Sequence, residues 1–313
     1  MKQKFKGLCL SLACLCLLSS CASVERYYMD HLDKTYPQLR RLTSMRQSAT
    51  DIKLASARDF SIPGPLGPIN ARAYTPLTVR PNAPLVLYIH GGGYVIGSLN
   101  QVDRVARDLA AQSQSIVISI DYALAPEHPF PAGLNDCLAA FQWLCDNAAT
   151  FGGDPNRVAV GGSSAGGNFS AVICQMRRDE GKTPPLGQLL FSPAVGQVDP
   201  DSGKPWPSEA ENAKKSLLTP NSLKTFGDFY LGNPALYERD IRVNPIMAKS
   251  LAALPPAFIT ICELDPLRDQ GRAYAERMRA AGVRVETLYL PGKDHAYQDV
   301  KVISVAAAFL RSL

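Results

Sequence analysis

Arg157-Val158-Ala159-Val160-Gly161-Gly162-Ser163-Ser164-Ala165-Gly166-Gly167-Asn168 is the stretch on which the reading of this chain turns. Its first five residues predict a short strand, Arg157–Gly161. Ala165–Arg178 then carries a helical pattern without a proline. The turn between them, Gly162 to Gly166, fits G-x-S-x-G. That spacing forces the chain from strand to helix so sharply that the serine hydroxyl stands clear at the end of a sheet. Small neighbours are needed because bulky side chains would clash there. The first N–H groups of the helix have no intrahelical partner, and they face the place where negative charge would develop on a substrate.

Working outward, strands and helices alternate. Phe60–Pro63 and Ile69–Pro76 predict a hairpin around Gly64-Pro65-Leu66-Gly67. Pro84–His90, Ser115–Tyr122, Gln188–Ser192, Ala257–Ile261 and Val283–Leu290 read as further strands. Val102–Gln112, the periodic run from Leu134 to Ala148, Arg268–Ala281 and Ala296–Leu313 read as helices. Such alternation predicts an α/β fold with a mostly parallel central sheet flanked by helices on both faces. The segment from about 193 to 256 interrupts it, rich in proline and helical near Leu217–Leu231. It is too long for a plain connection and reads as a helical cap inserted over the sheet. The organisation expected is thus a leader at 1–20, a tether and helical arm at 21–58, and one domain at 59–313 carrying that cap.

A second glycine cluster, His90-Gly91-Gly92-Gly93, follows the Pro84–Ile89 strand. Glycines let consecutive N–H groups turn toward one point, which is what stabilising an oxyanion requires. A phosphate loop is the competing reading, but the loop has no lysine and no G-x-x-x-x-G-K-[ST] occurs. Only four histidines exist, His31, His90, His128 and His295. His31 lies in the arm. His90, His128 and His295 are the candidates for a base. Glu263, Asp269, Asp294 and Asp299 compete with Asp265 for the acid. Asp265 follows a strand and precedes a helix, where such an acid should stand. No His/Cys/Asp cluster at metal spacing appears, so neither a metal nor another cofactor is expected.

The ordered set resembles the hormone-sensitive-lipase-like carboxylesterases of the α/β-hydrolase fold. That family shows HGGG, a DYRLAPE-like segment, GDSAGGN, DPLRDEG and a late HGF-type histidine. This chain has His90–Gly93, Asp121-Tyr122-Ala123-Leu124-Ala125-Pro126-Glu127, Gly162–Asn168, Asp265-Pro266-Leu267-Arg268-Asp269-Gln270-Gly271 and His295-Ala296-Tyr297, over roughly residues 60–313. The resemblance implies Ser164 as nucleophile, Asp265 as acid and His295 as base, with oxyanion donors at the N–H groups of Gly92, Gly93 and Ala165. It implies hydrolysis of short-chain carboxylic esters through an acyl-enzyme, with a small ester as the binding partner. A deacetylase, formamidase or amidase would use the same residues, and a non-catalytic ligand-binding relative is the other class. All three triad positions are filled, which favours catalysis. Two departures stand out: Ser163 where the family has Asp or Glu, and Ala296 where it usually has Gly. Glu127 reads as a structural partner beneath the elbow. Leu217, Leu218, Phe226, Phe229 and Tyr230 are candidates for an acyl pocket.

The chain has 313 residues, 46% hydrophobic and 19% charged, which excludes disorder throughout. The net charge is +5, but Lys2, Lys4 and Lys6 sit in an acid-free leader; without them the rest carries +2, and no nucleic-acid partner is expected. Residues 7–18 form an apolar run of about 12, the length of a signal-peptide core and too short to span a bilayer. Leu18-Ser19-Ser20-Cys21 resembles a bacterial lipobox. That resemblance implies cleavage before Cys21 and its acylation, hence membrane attachment in the cell envelope, at the outer membrane of a two-membrane host. The body cysteines Cys137, Cys145, Cys174 and Cys262 form no CxxC pair. They read as buried thiols, with a disulfide between separate elements left open. The oligomeric state is left open too.

Overall fold

The computed structural model describes residues 22–45 and 51–313. The expectations for the leader at 1–20 and for Cys21 lie outside the described residues. Among the described residues two helices come first, α1 (Ala22–Asp30) and α2 (Leu32–Ser44), then the strands β1 (Ser56–Gly64) and β2 (Gly67–Thr75). Next come β3 (Leu85–Ile89), α3 (Asp103–Ser113), β4 (Val117–Asp121), α4 (Ala132–Asp146), β5 (Val158–Ser163), α5 (Ala165–Asp179) and β6 (Gln188–Phe191). The insertion carries α6 (Pro207–Asn212) and α7 (Pro220–Leu231). The chain ends with β7 (Ala257–Cys262), α8 (Arg268–Ala280), β8 (Val285–Leu290) and α9 (Val300–Arg311).

The eight strands form one sheet in the order β1-β2-β4-β3-β5-β6-β7-β8. The β1–β2 hairpin and the β2–β4 pair are antiparallel, and every other neighbouring pair is parallel. This is the mostly parallel, helix-flanked sheet expected of an α/β-hydrolase. Each β3 residue is buried, yet alternate residues serve different cores. Leu85, Leu87 and Ile89 pack on the side of α4, α5 and α8, whereas Val86 and Tyr88 pack on the side of α3 and α9. Period-2 alternation between two apolar cores is what a sheet covered on both faces produces.

Sheet order also positions the site. From β3 the chain crosses to β4 on one side and returns to β5 on the other, so β3 and β5 are neighbours. Loops leaving adjacent parallel strands in opposite senses open a crevice at their carboxyl ends. Ile89 pairs with Gly162 there, so the glycine loop after β3 and the turn after β5 emerge side by side.

Several boundaries differ from those read in the sequence. β1 begins at Ser56, inside the stretch read as arm, because its backbone pairs with β2 as far as Thr75. The last helix starts at Val300 rather than Ala296, since the Asp299 carboxylate takes the N–H groups of Lys301 and Val302 and sets the cap there. α7 starts at Pro220 for the same reason: Thr219 accepts from the N–H of Ser222, with proline at the first helical position. The short α6 carried too little apolar periodicity to be read in advance.

The four body cysteines are free thiols. Among the described residues no helix is long and apolar enough to cross a membrane.

Candidate active site

Ser164 sits between β5 and α5 with φ 54° and ψ −116°, a conformation unusual for a residue with a side chain. The surroundings hold it there. Its N–H donates to the Phe191 carbonyl at 2.9 Å, and its own carbonyl accepts from Asn168 at 2.9 Å and Ala194 at 3.2 Å. A Cβ at Gly166 would run into the carbonyl oxygen of Ile89, so only glycine lets α5 start this close to β3. The Ser164 hydroxyl makes no capping bond to α5 and faces the crevice.

His295 and Asp265 come from the loops after β8 and β7. The Nδ1 of His295 lies 2.9 Å from Oδ2 of Asp265. Asp265 is 1% exposed, and its other oxygen accepts from the Leu267 N–H at 2.8 Å. With a carboxylate as its partner, Nδ1 carries the proton and donates, leaving Nε2 free to accept one. Burial pulls the imidazole pKa down. The Asp265 charge and hydrogen bond, joined by the Asp294 charge, outweigh it, so His295 titrates above its ordinary 6.5.

The competing acids are engaged elsewhere. Glu263 accepts from Gly292, Asp269 pairs with Arg268, Asp294 accepts from Leu217 and His295, and Asp299 caps α9. The other histidines also have different settings. His90 is fully buried, stacks on Tyr122 and gives its Nδ1 proton to the Gly91 carbonyl at 2.7 Å; burial pushes its pKa down to about 4, so it stays neutral. His31 and His128 are exposed.

Gly92 and Gly93 follow β3 with φ of +112° and +58°. A Cβ at Gly92 would strike the Ile96 carbonyl, so the loop needs glycine at that point. Among the described residues the N–H groups of Gly92, Gly93 and Ala165 have no backbone partner. Gly92 and Gly93 line one cavity with Ser164, and Ala165 lines an adjoining one with it.

Two cavities meet at Ser164. The larger, about 570 Å³, is lined by Gly92, Ser164, Leu217, Leu218, Phe226 and His295 on one side. Its other side is Val24, Tyr28, Met29, Leu39 and Leu42 of α1 and α2. The smaller, about 220 Å³, runs past Ala165 and is lined by Tyr94, Leu218, Leu223, Phe226, Tyr230 and Glu209. Burial pushes the Glu209 carboxyl up to about 7.

The part that α1 and α2 play in the cavity wall was missed in the sequence, where Leu39 and Leu42 recur at helical spacing in a segment read as tether and helical arm. The cap candidates divide between the cavities, apart from Phe229, which packs edge-on against Tyr36 of α2 at 5.3 Å. Glu127 is not beneath the elbow. It is exposed and pairs with Arg40 of α2 at 2.8 Å, because the turn after β4 carries it to the surface.

A family profile described as alpha/beta hydrolase fold matches residues 86–299. Carboxylesterase NlhH of Mycobacterium tuberculosis is 41% identical over 283 residues, covering 89% of this chain and 86% of that protein. An arylesterase of Saccharolobus solfataricus is 36% identical, covering 72% of each chain. Among solved structures, a hyperthermophilic esterase from Pyrobaculum calidifontis is similar, with a TM-score of 0.78 and 34% identity over 97% of this chain and 98% of that one.

Proposed function

The chain belongs to the alpha/beta hydrolase fold family, and on that premise we propose that it is a serine carboxylesterase, acting on small carboxylic esters through Ser164, His295 and Asp265. The observation that carries the assignment is the shared crevice. A serine held out of its helix, an imidazole oriented by a buried carboxylate, and Gly92 and Gly93 with their unpaired N–H groups line one cavity, and Ala165 lies next to Ser164 in the adjoining one.

The chemistry follows from those positions. As the Ser164 oxygen attacks the ester carbonyl, Nε2 of His295 takes its proton. The carbonyl oxygen becomes an oxyanion beside the N–H groups of Gly92, Gly93 and Ala165. His295 then passes the proton to the departing alcohol oxygen, the C–O bond breaks, and an acyl-enzyme remains. Water repeats the sequence, losing a proton to His295 and releasing the acid. Asp265 holds the imidazole tautomer and offsets the positive charge that forms on the ring.

Ser164→Ala tests the assignment. It should cut kcat by roughly 10⁴-fold or more with an unchanged melting curve. An organophosphonate should add one adduct, mapped to Ser164 by peptide mass. Near wild-type turnover of the alanine variant would exclude Ser164 as the nucleophile.

We also propose a lipid anchor at Cys21 in the cell envelope. What supports it is the Leu18–Cys21 lipobox pattern at the end of a basic, then apolar leader. Several acyl chains hold a protein on a membrane, at about 0.8 kcal/mol per buried CH₂. Helix α1 begins at the next residue, and Val24 and Tyr28 on it line the larger cavity. An anchored chain would therefore present that cavity close to the lipid surface. Mass spectrometry of the mature protein should find an acylated N-terminus at Cys21; an unmodified chain starting elsewhere would defeat the reading.

A further inference from the structure

The smaller cavity carries chemistry that a plain alkyl chain leaves unused. Which half of an ester enters it follows from His295. The imidazole must reach the oxygen of the departing alcohol, and it lines the larger cavity but not the smaller one. The alcohol therefore occupies the larger cavity. The acyl chain, on the opposite side of the carbonyl carbon, runs past Ala165 into the smaller. Glu209 and Gln270 are among the polar side chains in its largely apolar wall. The half-buried carboxylate of Glu209, from α6, has no hydrogen-bond or ionic partner among the described residues. Gln270, from α8, is 3% exposed. Its Oε1 accepts the N–H groups of Val195 at 2.7 Å and Gly196 at 3.0 Å, which fixes the orientation of the amide. Its Nε2 protons have no partner among the described residues, although the side chain lines the cavity.

Building on the esterase reading, we propose that this cavity is the acyl subsite and that Glu209 and Gln270 together recognise a hydroxyl on the acyl chain, so that esters of short hydroxy acids are the preferred substrates. A hydroxyl is both donor and acceptor. It gives its proton to the Glu209 carboxylate and takes one from Gln270 Nε2. A methyl group in the same place strips water from both side chains and pairs with neither. An ammonium satisfies Glu209 but meets the Gln270 protons with its own. Sites built to hydrogen-bond a substrate hydroxyl discriminate against the analogue lacking it because their own polar groups are left unpaired.

The test is kcat/KM for ethyl lactate, ethyl 3-hydroxybutyrate and ethyl 6-hydroxyhexanoate, each beside its deoxy partner (propanoate, butanoate, hexanoate), followed by pH-stat titration. The wild-type chain should favour at least one hydroxy ester by about tenfold over its partner. Glu209→Leu should bring that ratio to one or below while raising turnover of the deoxy esters. Gln270→Glu keeps the acceptor for Val195 and Gly196 but removes the donor, and it should also lower the ratio. Glu211→Gln, on the same helix but exposed and paired with Arg268, should leave the ratio unchanged. Melting curves of all variants separate lost recognition from lost folding. Hydrolysis of the deoxy esters with no hydroxy preference would overturn the proposal and leave the esterase reading standing. Inertness toward both series would overturn both. A preference for glycine and β-alanine ethyl esters that Gln270→Glu strengthens would replace the hydroxyl by an amine.

Discussion

At the scale of single residues, the proposed site depends on a proton standing on the right nitrogen. His295 gives its Nδ1 proton to a carboxylate that is buried and already holds a backbone N–H, so the neutral ring has only Nε2 available as a base. Only the neutral ring can take the Ser164 proton. Because the pKa of His295 is raised above 6.5, activity should be lost as pH falls through a value above 6.5. The acid limb of kcat/KM for a non-ionising ester should show this. Asp265→Asn removes the charge that raises the pKa, so the limb should move to lower pH as kcat falls about 10⁴-fold. An unshifted limb in that variant would mean that another group titrates. Ser164 was legible because the G-x-S-x-G spacing has a mechanical cause, and Asp265 and His295 through the family motifs that their segments resemble. Ala296 shows the limit of such reading. The departure from glycine was visible, but only the structure shows the alanine at φ +55°, a left-handed position that costs an L-residue about 1–2 kcal/mol. Ser163 is similar. Its neighbours could not be read from the pentapeptide, and it proves buried at the end of β5.

At the scale of elements, the sheet was legible because buried parallel strands are short apolar runs bounded by turns, and helices alternate with them. The N-terminal segment was legible only as a helical arm, because the sequence does not show what its weak periodicity packs against. Arg26 on α1 donates to the carbonyls of Ala213 and Ser216 in the cap, at 2.8 and 2.9 Å. Arg40 on α2 donates to the carbonyls of Val95, at 2.6 Å, and Ala125, pairs with Glu127, and lies over the ring of Tyr36. Polar residues that look solvated in the sequence thus tie α1 and α2 to the loop after the glycine cluster and to the cap. Arg40→Ala should leave two carbonyls without their donor, at about 1–3 kcal/mol each where water cannot replace it. The consequence should fall on the wall of the larger cavity. KM should rise several-fold for esters of bulky alcohols such as naphthol, with a smaller change for ethyl esters, and the melting temperature should drop. Equal KM changes for both alcohols would place the effect of Arg40 outside the alcohol side.

For the whole molecule, the question is how long an acyl chain the fold accepts and whether it needs an interface. The oxyanion donors and the triad treat every acyl carbonyl alike, so discrimination must come from contacts along the chain. Each methylene that finds a wall should contribute about 0.8 kcal/mol, close to a fourfold gain in kcat/KM per carbon, until the space ends. The smaller cavity is about 220 Å³ and is closed in by Tyr94, Leu223, Tyr230 and Leu231. Tyr94 and Tyr230 stack at 3.9 Å, which gives that wall a rigid core. Kcat/KM should therefore rise with chain length within the range of two to eight carbons and fall sharply toward palmitate. Interfacial activation requires a roof that swings away to admit a lipid surface. Here the roof is α1, α2 and α7, with α2 joined to α7 by the Tyr36–Phe229 contact, and opening it would break the Arg40 hydrogen bonds to Val95 and Ala125. Activity should accordingly peak on dissolved monomeric ester, with no jump when substrate passes its solubility limit. A panel of p-nitrophenyl esters from acetate to palmitate, run beside a triolein emulsion, measures both. Rapid triolein hydrolysis with a rise at the solubility limit would mean that the roof opens and that the smaller cavity does not set acyl length.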